Sequence, residues 1–170
     1  MYIAKIKVLT MNIEQLQWVK NIKAFYPKEG GKWAYQFQKG EKFALHWRNK
    51  DGKDQKNANN LAAGDMIILR QLGKVTHIVQ VLDNELNDED MKSENEFNIY
   101  RNVQVIWITD NWDNSPSVGR FFEAKSLPQG GKAYQIKRLE AFKKRWGETG
   151  LPEFQKFIQK ELNINENSSI

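Results

Sequence analysis

The sequence contains no cysteine, and its two histidines are His46 and His77. Disulfide bonds and thiolate metal sites are therefore excluded, and we expect no histidine-based zinc site. No apolar run approaches the roughly 20 residues that a membrane span needs. Residues 1–10 lack the cleavage pattern of a signal peptide. These absences predict a soluble, cytoplasmic protein.

The sequence also lacks the common catalytic and cofactor-binding motifs. The glycine pairs Gly30-Gly31 and Gly130-Gly131 occur without the rest of a phosphate-binding loop. With two histidines in the chain, we find no credible Ser-His-Asp order for nucleophilic catalysis. The sequence therefore predicts a binding protein that needs no cofactor, rather than an enzyme.

Charge is distributed unevenly along the chain, whose formal net charge is +5. Residues 83–96 are mainly acidic, whereas residues 132–160 are mainly basic. Because a basic face attracts phosphate groups, five cations in the second region are candidate phosphate-binding residues. They are Lys137, Arg138, Lys143, Lys144 and Arg145. The alternative is that these side chains form an ordinary solvated helix face.

Hydrophobic periodicity predicts strands in the middle of the chain and helices toward its two ends. Strands are predicted over 2–8, 33–37, 43–47, 66–70, 75–82 and 99–109, with a further short strand at Phe121-Phe122. Helices are predicted over about 12–25, over 134–146 and from Pro152 to 162, with a helical turn at 61–63. Polar loops are predicted over 49–60, 83–96 and 110–119.

The order of these elements predicts the fold class. The strands follow one another instead of alternating with helices, which is typical of an α+β fold with a mostly antiparallel, barrel-like sheet. Segments 33–37 and 43–47 are expected to form a hairpin through Lys39-Gly40-Glu41. At 170 residues, the chain fits one domain over 1–162 and a frayed tail over 163–170.

Aromatic residues are plentiful: six tryptophans, five tyrosines and nine phenylalanines. Trp33, Trp47, Trp107 and Trp112 lie at predicted strand ends beside polar loops. A flat aromatic wall beside asparagine or arginine suits a nucleobase, because the ring stacks while the polar groups read the base edge. The alternative for each tryptophan is packing in the core.

Two segments resemble the PUA-like superfamily, and in particular its EVE and YTH branches. The first runs from Phe43 to Asn49, and the second from Leu61 through Gly64-Asp65 into an apolar strand. Between them lies an asparagine-rich stretch, as a polar loop does in those domains. The resemblance covers about residues 43–146 and implies a distorted antiparallel barrel with flanking helices.

The resemblance also implies a function, namely a pocket for a modified base in DNA or RNA. Trp47 would be the stacking wall, and His46, Arg48 and Asn49 would line the approach to it. Asn57 and Asn59 would contact the base edge, and Phe97 or Tyr100 would form the second aromatic wall. Trp33 and Trp112 are further candidate base contacts, and the basic C-terminal helix would steer the phosphate backbone.

Two other functions fit the same sequence. A small basic domain with an acidic loop is also typical of partner-binding proteins in phage or defence systems, with an aromatic patch as the protein interface. In a phage or defence system, the protein bound through this patch would be the effector. Asp110, Glu123 and Lys125 resemble the acidic and lysine residues of metal-dependent nucleases, where two carboxylates hold the cation.

Overall fold

The computed structural model describes residues 11–23, 33–49, 52, 54–89, 97–123, 127–128 and 130–165. Within these residues there are seven strands: β1 Leu16–Asn21, β2 Lys42–Trp47, β3 Met66–Gln71, β4 Lys74–Val81, β5 Asn87–Asp88, β6 Ile99–Ile108 and β7 Ala133–Gln135. The α-helices of the described part are α1 Gln55–Asn59, α2 Glu140–Trp146 and α3 Leu151–Glu161. Short 3-10 helices occupy Ile13–Gln15, Val118–Arg120 and Ile136–Arg138.

The strands form one curled, half-barrel sheet in the order β2-β6-β4-β3-β1-β7, with β5 paired to β6. All of these neighbours pair antiparallel except β1 and β3, which run parallel. The coarse prediction of a mixed α+β fold is therefore confirmed, and the curled sheet is compatible with a distorted barrel. Within the described residues, no helix combines the length and the apolar character needed to cross a membrane.

The centre of the sheet follows the sequence closely. β3 and β4 correspond to the strands predicted over 66–70 and 75–82; they form a hairpin, and Leu72 and Gly73 at its tip both have positive φ, at 50° and 75°. Two positive φ values match the twist of the flanking strands in a two-residue hairpin. β6 and α3 were also predicted, and α3 has its proline in the first turn, where no amide hydrogen is needed.

The predicted helix over about 12–25 is wrong in its described part. After one 3-10 turn, residues 16–21 form β1, which pairs with β3 on one side and β7 on the other. Ile13, Leu16, Val19 and Ile22 are all buried at helical spacing, but Trp18 and Lys20 between them are buried too. A strand buried on both faces loses the alternation by which strands are identified.

The predicted hairpin between 33–37 and 43–47 is also wrong. β2 is present, but it pairs with β6, and no strand covers the described residues 33–38. This segment instead lays Tyr35 and Phe37 over Phe43, with ring centroids 4.7 and 4.8 Å from it. The alternating aromatic residues of this segment therefore pack against the sheet, and the segment does not form a strand of it.

Other predicted boundaries shift. The helical turn at 61–63 is absent, because the helix lies earlier, as α1 inside the predicted polar loop. Phe121-Phe122 is a turn after a 3-10 helix, and the predicted helix over 134–146 begins as β7 before α2 starts at Glu140. The predicted strand over 2–8, residues 90–96 of the acidic loop and tail residues 166–170 lie outside the described residues.

Two apolar cores lie on opposite faces of the sheet. The helix-side core packs α2 and α3 against one face and includes Met66, Ile68, Ile78, Phe142 and Phe154. The barrel-side core fills the concave face and includes Leu45, Trp47, Ile67, Leu69 and Val103. Alternation along β3 explains the division, because successive side chains of a strand point to opposite faces.

Candidate functional site

A cavity of about 140 Å³ opens where the carboxyl ends of β1 and β2 come together. The strand ends, the 33–38 segment, the residues before β6 and the loop before β7 all contribute to its wall. Its lining residues are Lys20, Asn21, Ile22, Lys23, Tyr35, His46, Arg48, Phe97, Gly130 and Gly131. Three of the residues predicted from the sequence, His46, Arg48 and Phe97, are among them.

Lys20 is the buried charged group of this cavity, with 2% of its surface exposed. Its Nζ donates to the carbonyl oxygen of Gly131 at 2.5 Å and lies 4.7 Å from the centre of the Trp47 ring. Burial lowers the pKa of Lys20 to about 7, and the nearby carboxylate of Asp54 opposes part of that change. Near neutral pH, the amine therefore exists in both protonation states.

Tyr35 forms an aromatic wall of the cavity. Its ring packs against Phe43, and its hydroxyl oxygen accepts a hydrogen bond from the backbone amide of His46 at 3.1 Å. Burial raises the pKa of Tyr35 to about 12, so the hydroxyl keeps its proton at neutral pH. That proton leaves Tyr35 able to donate to a bound ligand.

The rim of the cavity is polar and carries cations. Arg48 and Lys23 are exposed, and Phe97 is half-buried beside them. His46 places its Nε2 2.6 Å from Oε1 of Glu89, and its ring lies 5.5 Å from that of Tyr100. The arrangement combines an aromatic interior with a positively charged entrance.

Trp47, the predicted stacking wall, does not line the cavity. Its side chain is fully buried in the barrel-side core, and its Nε1 donates to Oδ1 of Asn57 at 2.9 Å. Trp47 lies on the apolar face of β2, whereas its neighbours His46 and Arg48 reach the cavity, as strand alternation requires. The prediction that Trp47 stacks on a base is wrong in this structure.

Asn57 is also structural rather than exposed for base reading. Its Oδ1 accepts hydrogen bonds from Trp47 and from the amide of Ala133, and its Nδ2 donates to the carbonyl oxygen of Ala133. These bonds tie α1 to β7 and correct its predicted role. Asn59 is exposed and Asn49 half-buried, and neither is among the cavity residues.

Trp33 and Trp112 come together, but away from the cavity. Their rings meet edge to face with centroids 5.4 Å apart, and Trp33 also contacts His77. They line a separate depression of about 210 Å³ at the far end of β6. Tyr100 contacts His46 but does not line the cavity. The predicted aromatic contacts therefore do not converge on one site.

The predicted phosphate-binding cations lie on the helix-covered side of the sheet. Lys137, Arg138 and Lys144 are exposed there. Lys143 lies 3.7 Å from Glu140, and Arg145 donates to the carbonyl oxygen of Arg120 at 2.6 Å while covering the Trp146 and Phe157 rings. None of the five lines the cavity, and their predicted contact with phosphate groups stays a prediction.

The sequence reasoning missed Lys20, Tyr35 and the Gly130-Gly131 pair as site residues. A usable signal was present for Lys20, since a lone lysine inside an apolar strand must find a buried partner. The glycine pair lacks a phosphate-loop motif, so the sequence gives it no predicted role. The sequence predicts Tyr35 in a strand, whereas the structure places it in an irregular segment.

Asp110 and Glu123, two residues of the nuclease alternative, are exposed, and Lys125 lies outside the described residues. Among the described residues, no group of three or more His, Asp or Glu side chains is placed to share a metal ion. Comparison with protein-family models, curated proteins and solved structures gives no match for this chain. The resemblance to the PUA-like superfamily stays a prediction.

Proposed function

We propose that this chain is a noncatalytic nucleic-acid-binding module that takes one base into the cavity at the ends of β1 and β2. The observation that carries the proposal is the cavity itself, with aromatic side chains around it and cations at its entrance. Its volume of about 140 Å³ compares with the roughly 150 Å³ of an engineered cavity that holds one benzene ring.

Each part of the site supplies a contact that a nucleotide needs. Phe97 offers an aromatic ring against which a base can stack, an interaction that tolerates any sequence, and Tyr35 borders the same space. Arg48 and Lys23 at the exposed rim are placed to meet the phosphate groups on either side of an inserted base. A modified base, such as one with an added methyl group, would add apolar contact with the same rings.

A binding titration tests this function. Single-stranded and double-stranded DNA and RNA, with and without base modifications, would be titrated at about 50 mM and about 200 mM salt. On a single strand, we expect the logarithm of the binding constant to fall by about 0.7 per phosphate contact for a tenfold rise in salt, which is about 0.4 between these two concentrations. Intact strands should be recovered after incubation with Mg²⁺.

Matched charge variants locate the binding surface. Arg48→Gln should weaken binding and reduce its salt dependence, because it removes a cation from the cavity rim. Lys144→Gln removes an exposed cation on the helix-covered side and should leave binding unchanged. Absence of binding to every nucleic acid at the lower salt concentration would refute the proposal, and an effect of Lys144→Gln alone would relocate the site.

A further inference from the structure

We propose that the cavity accepts a pyrimidine base in preference to a purine, an inference that rests on the proposed function and names the class of base. Size is the first reason. A volume of about 140 Å³ suffices for one planar ring, by comparison with the cavity of roughly 150 Å³ that holds benzene. A purine has two fused rings and would leave one of them outside the wall of Tyr35.

The hydrogen-bonding groups of the cavity give the second reason. Lys20 Nζ can only donate when charged, and the Tyr35 hydroxyl has its own proton to donate because its oxygen accepts from the His46 amide. The carbonyl oxygen of Gly131 accepts from Lys20 at 2.5 Å and has a second lone pair. The cavity therefore offers two donors and one acceptor from these groups.

This set complements a pyrimidine. The Watson–Crick edges of uracil, thymine and cytosine each present two acceptors and one donor, and single-stranded nucleic acids are read on these edges. Adenine presents one acceptor and one donor there, and guanine one acceptor and two donors. A purine edge would therefore leave at least one donor of the cavity unpaired, which is unfavourable in a buried site.

The three groups are held in place before any ligand arrives. The Trp47 ring and the Gly131 carbonyl fix the Lys20 amine, while Phe43 and the His46 amide fix Tyr35. A ligand therefore meets donors that have already lost part of their conformational freedom, which lowers the entropic cost of pairing with an edge that offers two acceptors. Because the donors are held in position, the different numbers of acceptors on pyrimidine and purine edges should give different binding affinities.

The test uses DNA strands of about ten nucleotides in which every position is a tetrahydrofuran abasic residue except a single central base. Thymine, cytosine, adenine, guanine and no base are compared by fluorescence anisotropy. The strand without a base measures the phosphate contribution alone. We expect thymine and cytosine to bind at least about ten-fold more tightly than this reference, and adenine and guanine within about two-fold of it.

Variants assign the preference to the named groups. Tyr35→Phe keeps the ring and removes the donor, so it should reduce the pyrimidine preference, measured as the ratio of the affinity of each base-containing strand to that of the abasic strand bound by the same variant. Lys20→Met should do the same, with folding checked by thermal unfolding. Tyr100→Phe, a tyrosine outside the cavity, and Lys144→Met, an exposed lysine on the helix-covered side, are the matched controls.

Two outcomes separate this inference from the proposed function. Purine strands that bind as tightly as pyrimidine strands, with affinity still dependent on salt, would overturn the pyrimidine preference and leave nucleic-acid binding standing. Absence of binding by all five strands and by ordinary oligonucleotides would overturn both. An unchanged preference in both Tyr35→Phe and Lys20→Met would overturn the assignment of the selecting groups.

Discussion

The cations buried in the two closed cores of the sheet are held differently from the cation at the cavity edge. On the helix-covered face, Arg70 donates to the carbonyl oxygens of Leu127 and Pro128. On the concave face, Arg101 donates to three carbonyl oxygens, those of Ala58, Leu61 and Asp83. Lys20, in contrast, donates to the single carbonyl of Gly131 among the described residues, and it lines the cavity.

This difference separates cations that stabilise the fold from one that is available to a ligand. A guanidinium with two or three carbonyl partners connects loops to the sheet, since its several N–H groups donate to carbonyl oxygens held in fixed positions. An ammonium with one carbonyl partner keeps donor capacity at a cost in stability, because burial disfavours its charge. We therefore expect the closed cores on both faces to govern stability and the cavity edge of the concave face to govern binding.

The largest expected effect comes from truncating one aromatic ring on each face. Trp47→Ala and Phe154→Ala should each lower the free energy of unfolding by about 3–5 kcal/mol, because each leaves a cavity in a closed core. Trp47→Ala should also abolish base binding, since it removes the ring beneath Lys20. Urea denaturation and oligonucleotide titration measure the two effects; a loss below about 1 kcal/mol for Trp47→Ala would contradict its place in the core.

The second prediction concerns pH and His77 on the concave face. Burial lowers the pKa of His77 to about 4, while the unfolded chain takes up this proton near pH 6.5. Between these values the unfolded state binds more protons than the folded state, so stability falls as pH falls from 6.5 to about 4. The total contribution is about 3 kcal/mol.

His77→Phe isolates this contribution, because phenylalanine suits a site already lined by the rings of Trp33 and Phe43. Urea denaturation at pH 7 and pH 4 would be compared for both proteins. The wild type should lose more stability than the variant over this range. Equal losses would show that His77 already carries its proton in the folded state at the lower pH.

The third prediction gives opposite signs for two buried cations. Lys20→Met should raise the free energy of unfolding by about 1–2 kcal/mol at pH 6, because we expect the desolvation cost of the buried ammonium to exceed what its hydrogen bond to Gly131 contributes. The gain should shrink as pH rises above 7, because the folded chain then releases the proton that the unfolded chain holds to about pH 10.5. Denaturation at pH 6 and pH 9 measures this trend.

Arg70→Met is the matched control on the helix-covered face. It should lower stability by about 1–3 kcal/mol, because the carbonyl oxygens of Leu127 and Pro128 lose their donor. If both variants change stability in the same direction, the distinction between a cation that stabilises the fold and a cation that is available to a ligand is wrong.

The smallest expected effect lies at the β3–β4 turn, which belongs to neither core. Leu72 is 80% exposed and has a φ of 50°, a conformation that favours asparagine or glycine. Leu72→Asn should therefore raise the free energy of unfolding by about 0.5–1 kcal/mol. Gly73→Ala, at a φ of 75°, should lower it, and base binding should be unchanged in both variants.

The parts of the fold that could be predicted are those set by neighbouring residues. β3 begins with four apolar residues and β4 and β6 are rich in apolar residues, while the β3–β4 turn and the Pro152 start of α3 are local signals. β1 could not be identified, because its partners β3 and β7 lie far along the chain and bury both of its faces. Under those conditions, helix and strand spacing give similar apolar patterns.

The candidate site shows the same limit. His46 and Arg48 were identified because they flank Trp47, but their chosen neighbour points the other way. Lys20, Tyr35 and Gly131 have no common motif and meet only when the sheet curls. When a site is formed by tertiary contacts among separate segments, no single segment needs to carry a recognisable sequence motif.

The Lys20–Gly131 hydrogen bond joins residues 111 positions apart in the chain. A base held by both ends of that bond would be released whenever β1 separated from the β7 region, so it would bind the folded chain and not the unfolded one. By mass action, a ligand at a hundred times its dissociation constant would add about 2.7 kcal/mol to the free energy of unfolding. Amide hydrogens of β1 and β7 should then exchange more slowly in the complex, because the bound ligand would hold these two strands together.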